Sequence, residues 1–310
     1  VPGLPSAPVH TPLHAPPVAP RAGSDRDGPP DGGRAPGRGP GKAGRRAAPE
    51  VAGPARLALS PARRAARVRA TADALAAHAR FLRARVAAFR RWGVAEPPPL
   101  PPAPPVLKPR LRDATVVSRV PTDDRVIFLT VDDGAEKDPE FLRMVEELDL
   151  PVSSFLTDEE ARTGVGYGYF RSLALRGGTM HNHTLHHPYL PALGYRAQRR
   201  EICGQQDRIQ EEIGGPQPRL FRPPYGAYDR VTLRAARACG LDGVVLWGLE
   251  AWAGRIDFQE PGGRLYPGAV VLTHYRGPAE WGGSMADMTR RVLRLAAEQG
   301  YAVARLEDYL

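Results

Sequence analysis

Past residue 125 the chain repeats one unit: a short apolar run rich in β-branched residues, a loop, then a helical stretch. The runs fall at 126–131, 152–156, 178–182, 219–221, 243–247, 269–273 and 302–305. Helical patterning covers 139–148, 196–213, 228–239 and 285–299. Strand and helix in alternation impose a parallel sheet, because neighbouring parallel strands need a crossover and the helix supplies it. Seven such strands in about 190 residues predict an α/β fold, a distorted (β/α) barrel with about seven parallel strands. Folds of this kind place their chemistry at the C-terminal ends of the strands, so those residues carry the functional reading.

The N-terminal third has a different grammar. Residues 1–54 are rich in Pro, Gly, Ala and Arg without apolar periodicity, which predicts a disordered basic tail. Within 55–93, Ser60 suits an N-cap, Pro61 the first helical position and Gly93 the stop. Val68, Ala72, Leu75, Ala79, Leu82, Val86 and Phe89 form one apolar seam on an Arg-rich amphipathic helix. Such a helix packs on its own domain, lies exposed, or meets a partner helix or an anionic surface. The proline run at 97–105 makes 94–110 a stiff linker, with the last domain at 111–310.

Charge follows the same division. Residues 1–110 hold 19 Lys/Arg and 6 Asp/Glu, a net of +13; residues 111–310 hold 24 and 28, a net of −4; together they give the +9 of the whole chain. The basic character belongs to the N-terminal part, so the last domain carries no footprint for specific nucleic-acid binding. The tail is suited to an anionic wall polymer or a membrane surface. Cys203 and Cys239 fit no zinc or redox spacing; two buried thiols are the plainer reading, with one disulfide between helices as the alternative. No apolar run has the ~18 residues of a spanning helix, and no signal peptide is visible.

Four strand exits hold polar residues that a buried sheet does not need. The first run enters Asp132-Asp133-Gly134, and two adjacent carboxylates at a buried strand end call for a cation or a proton. The third leads into His183-Thr184-Leu185-His186-His187, where one helical turn would aim His183 and His187 at a common point. His181 and His186 compete for the same assignment. Two histidines and one carboxylate form a familiar divalent-metal set, zinc first, with cobalt or another transition metal also compatible. The fourth exit reads Arg222-Pro223-Pro224-Tyr225-Gly226, an Arg placed to fix a carboxylate. His274 leaves the sixth. Singly, each has a bland reading as a turn, a surface Arg or a structural histidine.

Together, 130–134, 183–188, 222–226 and Leu272-Thr273-His274 resemble in order and spacing the motifs of NodB-type polysaccharide deacetylases, carbohydrate esterase family four. The resemblance spans from near Thr122 to Leu310 and implies hydrolysis of N- or O-acetyl groups on a sugar polymer. It implies a divalent metal on Asp133, His183 and His187, with positions left for water and the substrate carbonyl. Asp132 is then the general base, Arg222 its orienting partner, and the Tyr225 N–H an oxyanion donor. His274 is the general acid, and Leu272 lines the acetyl pocket, with Trp252 and Pro224 in the substrate-binding set. The chain departs from the family at the fourth motif, where Gly248-Leu249-Glu250-Ala251-Trp252 keeps only the Trp. Glu250 or Asp257 could stand in for the absent Asp.

The leading expectation is an enzyme deacetylating an acetylated polysaccharide or oligosaccharide of a cell wall or other extracellular glycan. Its targeting segment would lie outside this sequence, and its oligomeric state is not encoded in these motifs. A different class, a carbohydrate-binding protein whose degenerate fourth motif has abolished turnover, would keep the fold without the chemistry.

Overall fold

The computed structural model describes residues 60–310; the stretch 1–54, expected to be a disordered tail, lies outside them. Helix α1 (Pro61–Arg91) starts where the capping residues place it, with Ser60 Oγ accepting from the Arg63 N–H. Its apolar seam is mostly unpacked: Val68 is 69% and Leu75 65% exposed, whereas Phe89 near the other end is 1% exposed. The last turns dock on the body. Phe89 and Val94 belong to the main core cluster, Trp92 Nε1 donates to Glu147 at 2.9 Å, and Arg294 donates to the Gly93 carbonyl. The predicted linker therefore begins with a core residue, Val94.

The sheet has β1 (Thr115–Val117), β2 (Val126–Asp133), β3 (Ser153–Leu156), β4 (Thr179–Asn182) and β5 (Leu220–Phe221). It continues with β6 (Gly243–Val245), β7 (Leu249–Ala251), β8 (Ile256–Phe258), β9 (Ala269–His274) and β10 (Ala302–Val303). All seven predicted runs are strands. The additions β1, β7 and β8 are three residues each, too short to show a periodicity. The helices are α2 (Pro139–Leu148), α3 (Asp158–Ala161), α4 (Tyr167–Leu175), α5 (Tyr195–Glu212), α6 (Arg230–Ala238), α7 (Pro278–Trp281) and α8 (Met285–Glu298). Strand order is β1-β6-β5-β4-β3-β2-β9-β7-β8, with β10 beside the start of β2, and every pairing except β7–β8 is parallel. The sheet curls into an open barrel.

Strand β2 organises the rest. All eight of its residues are buried and it pairs with three neighbours, which its continuous apolar run requires. Its period of two divides the core. Ile127, Leu129 and Val131 face the cluster that also holds Phe141, Phe170 and Leu293 of α2, α4 and α8. Val126 and Phe128 face a second cluster with Phe155, Val245 and Tyr309. Thr130 and Asp132 continue this second, inner face.

The two cysteines are not thiols: Cys203 of α5 and Cys239 at the end of α6 form a disulfide. These helices pack side by side, which the spacing of 36 residues in sequence could not reveal.

At the N-terminal end of the strands, Glu307 is set among polar partners. Its Oε1 lies 2.6 Å from His181 Nε2 and accepts from Ser153 and Thr179 hydroxyls at 2.8 and 2.7 Å. Burial alone would raise this carboxyl, but the hydrogen bond and charge of His181 outweigh it and hold the pKa at about 2. A depressed carboxyl stabilises the fold above its unfolded value near 4.5 and loses that effect as pH falls toward 2. Glu307→Gln is expected to lower the denaturation midpoint at pH 7, with the gap to wild type closing below about pH 4.5. An equal gap at pH 7 and pH 3 would remove the charge from this account.

We propose that the folded body begins with the last turns of α1 rather than at 111. A chain starting at residue 84 should keep its unfolding midpoint. One starting at 106 should lose several kcal/mol, since deleting a buried Phe side chain alone costs about 3–5 kcal/mol. Equal midpoints would return the boundary to the proline run.

Candidate metal centre and active site

Sheet register brings the predicted residues to one level. Asp133 aligns with Leu156 on β3, Leu156 with Asn182 on β4, and Asn182 with Phe221 on β5, so His183 and Arg222 sit one residue beyond that row. On the other side of β2, Asp132 aligns with His274. Asp132 faces inward by the alternation of its strand. Asp133 would face outward, but its φ of 73° is left-handed and breaks the alternation at the strand's last residue. Both carboxylates are buried.

Strands β2 and β4 are separated by β3, yet the curl of the sheet closes the gap. His183 Nε2 and His187 Nε2 each lie 3.6 Å from Asp133 Oδ1, and the three ligand atoms are all within 4.8 Å of one another. The segment 183–187 is not the helical turn that the spacing suggested. Thr184 and His187 have positive φ, the Thr184 N–H donates to Asn182 Oδ1, and the His187 N–H donates to Thr184 Oγ1. This local hydrogen-bonded loop, not helix geometry, holds the two rings 4.9 Å apart. His181 turns to Glu307 and His186 to Glu201, so neither competes for the site.

The donor set fits a divalent cation. The His183 Nδ1–H donates to the Arg222 carbonyl at 2.6 Å, which leaves Nε2 as the free lone pair. Burial lowers both His183 and His187 to about 4, so the rings are neutral at pH 7. Burial pushes the Asp133 carboxyl up, but the imidazoles of His183, His274 and His187 and the Arg276 guanidinium bring its net pKa down. Asp133 Oδ1 is buried with no hydrogen-bond partner. An ionised oxygen without a donor is costly, and a cation held with the two histidines would satisfy it.

Asp132 is held differently. Arg222, fully buried, donates from Nη1 to Asp132 Oδ1 at 2.6 Å and to Thr130 Oγ1 at 2.9 Å, while its Nε donates to the Val245 carbonyl. The Phe155 ring lies 4.2 Å from its guanidinium carbon. Burial raises Asp132 to about 6, against the pull of Arg222 and His274 and with the push of Asp133. Its Oδ2 is 3.5 Å from His183 Nε2.

A cavity of about 410 Å³ opens over these groups, and Leu272, Trp252, Tyr225 and His274 line it. Pro224 does not; it is buried in a short 3₁₀ turn, and Pro223 lines the cavity instead. Tyr225 has φ 61° and a solvent-exposed ring 4.7 Å from His187. His274 stands 6.1 Å from Trp252, ring to ring, and its Nδ1 is 3.4 Å from Glu250 Oε1. Asp257, the other candidate for the absent fourth-motif Asp, pairs with Arg255. Burial, with Asp257 and Asp132 nearby, raises Glu250 to about 7, and burial lowers His274 against the carboxylates around it. A larger cleft of about 980 Å³ lies where His181 and Glu307 sit and holds none of the predicted site residues.

Sequence reading missed Arg276, which donates to Asp133 Oδ2 at 2.8 Å and pairs with Glu280. It lies two residues past His274 on the same strand exit, the one signal that could have found it. Trp281, packed edge to face on Trp252 and also lining the cavity, follows no motif.

The family model for polysaccharide deacetylase matches residues 119–244. An uncharacterized protein of Streptomyces coelicolor is 44% identical over 196 residues, 63% of this chain and 77% of that protein. A chitooligosaccharide deacetylase of Sinorhizobium fredii is 25% identical over 209 residues, 61% of this chain and 94% of its own length. A solved family 4 carbohydrate esterase from Bacillus anthracis shares the fold, with a TM-score of 0.53 and 22% identity over 64% of this chain and 88% of that one. Motif order, sheet topology and these relatives agree, and the chain belongs to the polysaccharide deacetylase family.

Proposed function

We propose that this protein removes N-acetyl groups from a sugar polymer by metal-assisted hydrolysis, with Asp133, His183 and His187 as the metal ligands. The observation that carries the reading is Asp133 Oδ1, buried without a hydrogen-bond donor and faced by two neutral imidazole nitrogens. A divalent ion bound there supplies Lewis-acid polarisation of the acetyl carbonyl. Zinc suits two histidines and a carboxylate, and cobalt is compatible.

The remaining steps belong to the chain. Asp132, oriented by Arg222, takes the proton of the attacking water. The Tyr225 N–H donates to the developing oxyanion, and Leu272 packs on the acetyl methyl. His274 gives a proton to the leaving nitrogen. Burial disfavours the protonated ring, and the Glu250 carboxyl 3.4 Å from Nδ1, itself raised to about 7, favours that form once it ionises. Glu250→Gln is expected to lower kcat by about 10–100-fold with little change in KM. Losing the negative charge lowers the imidazole pKa, so the alkaline limb of the kcat profile should move to lower pH. An unshifted limb would leave Glu250 without this role.

Acetate release from peptidoglycan, chitin oligomers and acetylxylan, with chelator and with added zinc or cobalt, tests the function and its metal dependence. Release from none of them by metal-loaded protein would favour the carbohydrate-binding alternative. An extracytoplasmic location is supported by the Cys203–Cys239 disulfide, since such bonds persist in oxidising compartments. Recovery of native protein from the cytosol with both cysteines reduced would overturn it. Among the described residues no helix is long and apolar enough to cross a membrane.

A further inference from the structure

Beside the catalytic cavity lies a second one of about 560 Å³, and Trp281 lines both. The pair Trp252 and Trp281, ring centroids 5.9 Å apart, stands between them. The second cavity is bounded by the turn after β7 and by one face of α8, which presents Arg290, Arg291 and Arg294. These guanidinium groups are held in different ways. Arg290 is neutralised by Asp287, which also caps α8 through Ser284. Arg291 donates to the Ala253 carbonyl at 3.1 Å, and Arg294 donates to the Gly93 carbonyl. Among the described residues neither has a carboxylate within ion-pair distance, and Glu298, the other acid on this wall, pairs with neither.

A carbonyl fixes a guanidinium without cancelling its charge. Each arginine has five N–H donors in a planar fork, and the carbonyl uses only part of it. Two exposed, positioned, uncompensated cations therefore line a groove that adjoins the reaction centre across an aromatic wall. A neutral glycan has no need of them. An oxyanion on the strand would, because carboxylate and phosphate both match the guanidinium fork. The negative net charge of 111–310 makes this local excess of cations the more specific.

We propose that this groove is a subsite for an anionic glycan strand, whose carboxylate or phosphate groups are held by Arg291 and Arg294 while a neighbouring acetylated sugar enters the catalytic cavity. The proposal rests on the deacetylase reading for the identity of the cavity, but its test does not use turnover.

The experiment is equilibrium binding by the full chain and by Arg291→Gln/Arg294→Gln. The probes are chitotetraose as the neutral ligand, an alternating N-acetylglucosamine–N-acetylmuramic acid tetrasaccharide as the carboxylate ligand, and poly(glycerol phosphate) as the phosphate ligand. Wild type is expected to bind at least one anionic probe about tenfold or more tightly than chitotetraose. That advantage should shrink between about 50 and about 300 mM salt. The double variant should lose the advantage while its affinity for chitotetraose stays within about twofold. The two anionic arms identify which oxyanion is recognised. Equal binding of neutral and anionic probes by wild type, or an advantage that survives in the double variant, overturns the subsite. A chain that binds as expected yet releases no acetate would refute the deacetylase reading alone.

Discussion

Asp132→Asn is expected to keep a full complement of metal and lose about a thousandfold or more in acetate release, near the upper range for removing a general base. The amide preserves the size of the side chain, and its oxygen can still accept from Arg222 where Oδ1 does now at 2.6 Å. It cannot take a proton from water. The proposed metal ligands are untouched, because Asp133, His183 and His187 form their cluster without Asp132. His183→Ala should show the opposite pattern, with metal and activity falling together and little rescue by excess metal. His274→Ala should lose about 10²–10³-fold, less than the Asp132 variant, as expected of the proposed general acid with Glu250 at 3.4 Å. Metal content by elemental analysis and acetate release on one confirmed substrate read all three. Near-normal turnover by Asp132→Asn would remove Asp132 as the base and leave the two carboxylates to exchange roles or to be structural.

That both carboxylates reach the cavity was legible in the motif but not in the spacing. Strand alternation places Asp132 inward and says that its neighbour faces outward; only the left-handed φ of Asp133 puts both on the cavity, and a pattern of period two cannot contain that turn. The same limit applied to His183 and His187, whose separation of four suggested a helical turn. A loop built on Asn182 and Thr184 delivers the rings instead. Sheet order was legible only in class. Alternation imposes parallel strands, but that β9 lies next to β2, setting His274 level with Asp132, is a long-range pairing with no local signal. The partner of His274 was narrowed by sequence to Glu250 or Asp257. Strand order decides between them: the two acids are cross-strand partners on one face, but β7 lies beside β9 and β8 at the edge, so Glu250 reaches His274 and Asp257 pairs with Arg255.

Arg222→Met should be the most destabilising of the single substitutions at the site, by about 3–5 kcal/mol, because it leaves a buried carboxylate without its cation. The guanidinium is fully enclosed and serves Asp132, Thr130 and the Val245 carbonyl at once. Methionine fills much of the volume, so packing against Phe155 is largely retained and the loss is chiefly electrostatic. Asp132 sits at about 6 with the cation beside it, burial being the main cause. Without Arg222 it rises further, becomes protonated near neutral pH and ceases to be a base, so activity falls with stability. The double variant Arg222→Met/Asp132→Asn separates these two consequences. It removes both charges, and a buried pair replaced by neutral groups is close to neutral in stability. Its denaturation midpoint should therefore recover most of what Arg222→Met lost, while acetate release stays as low as in Asp132→Asn. The double-mutant cycle in denaturant measures the coupling directly. A single variant costing less than about 1 kcal/mol would show that the pair adds no more than a solvent-exposed one. A double variant as unstable as Arg222→Met would show that the guanidinium holds the fold through Thr130 and Val245 rather than through the base.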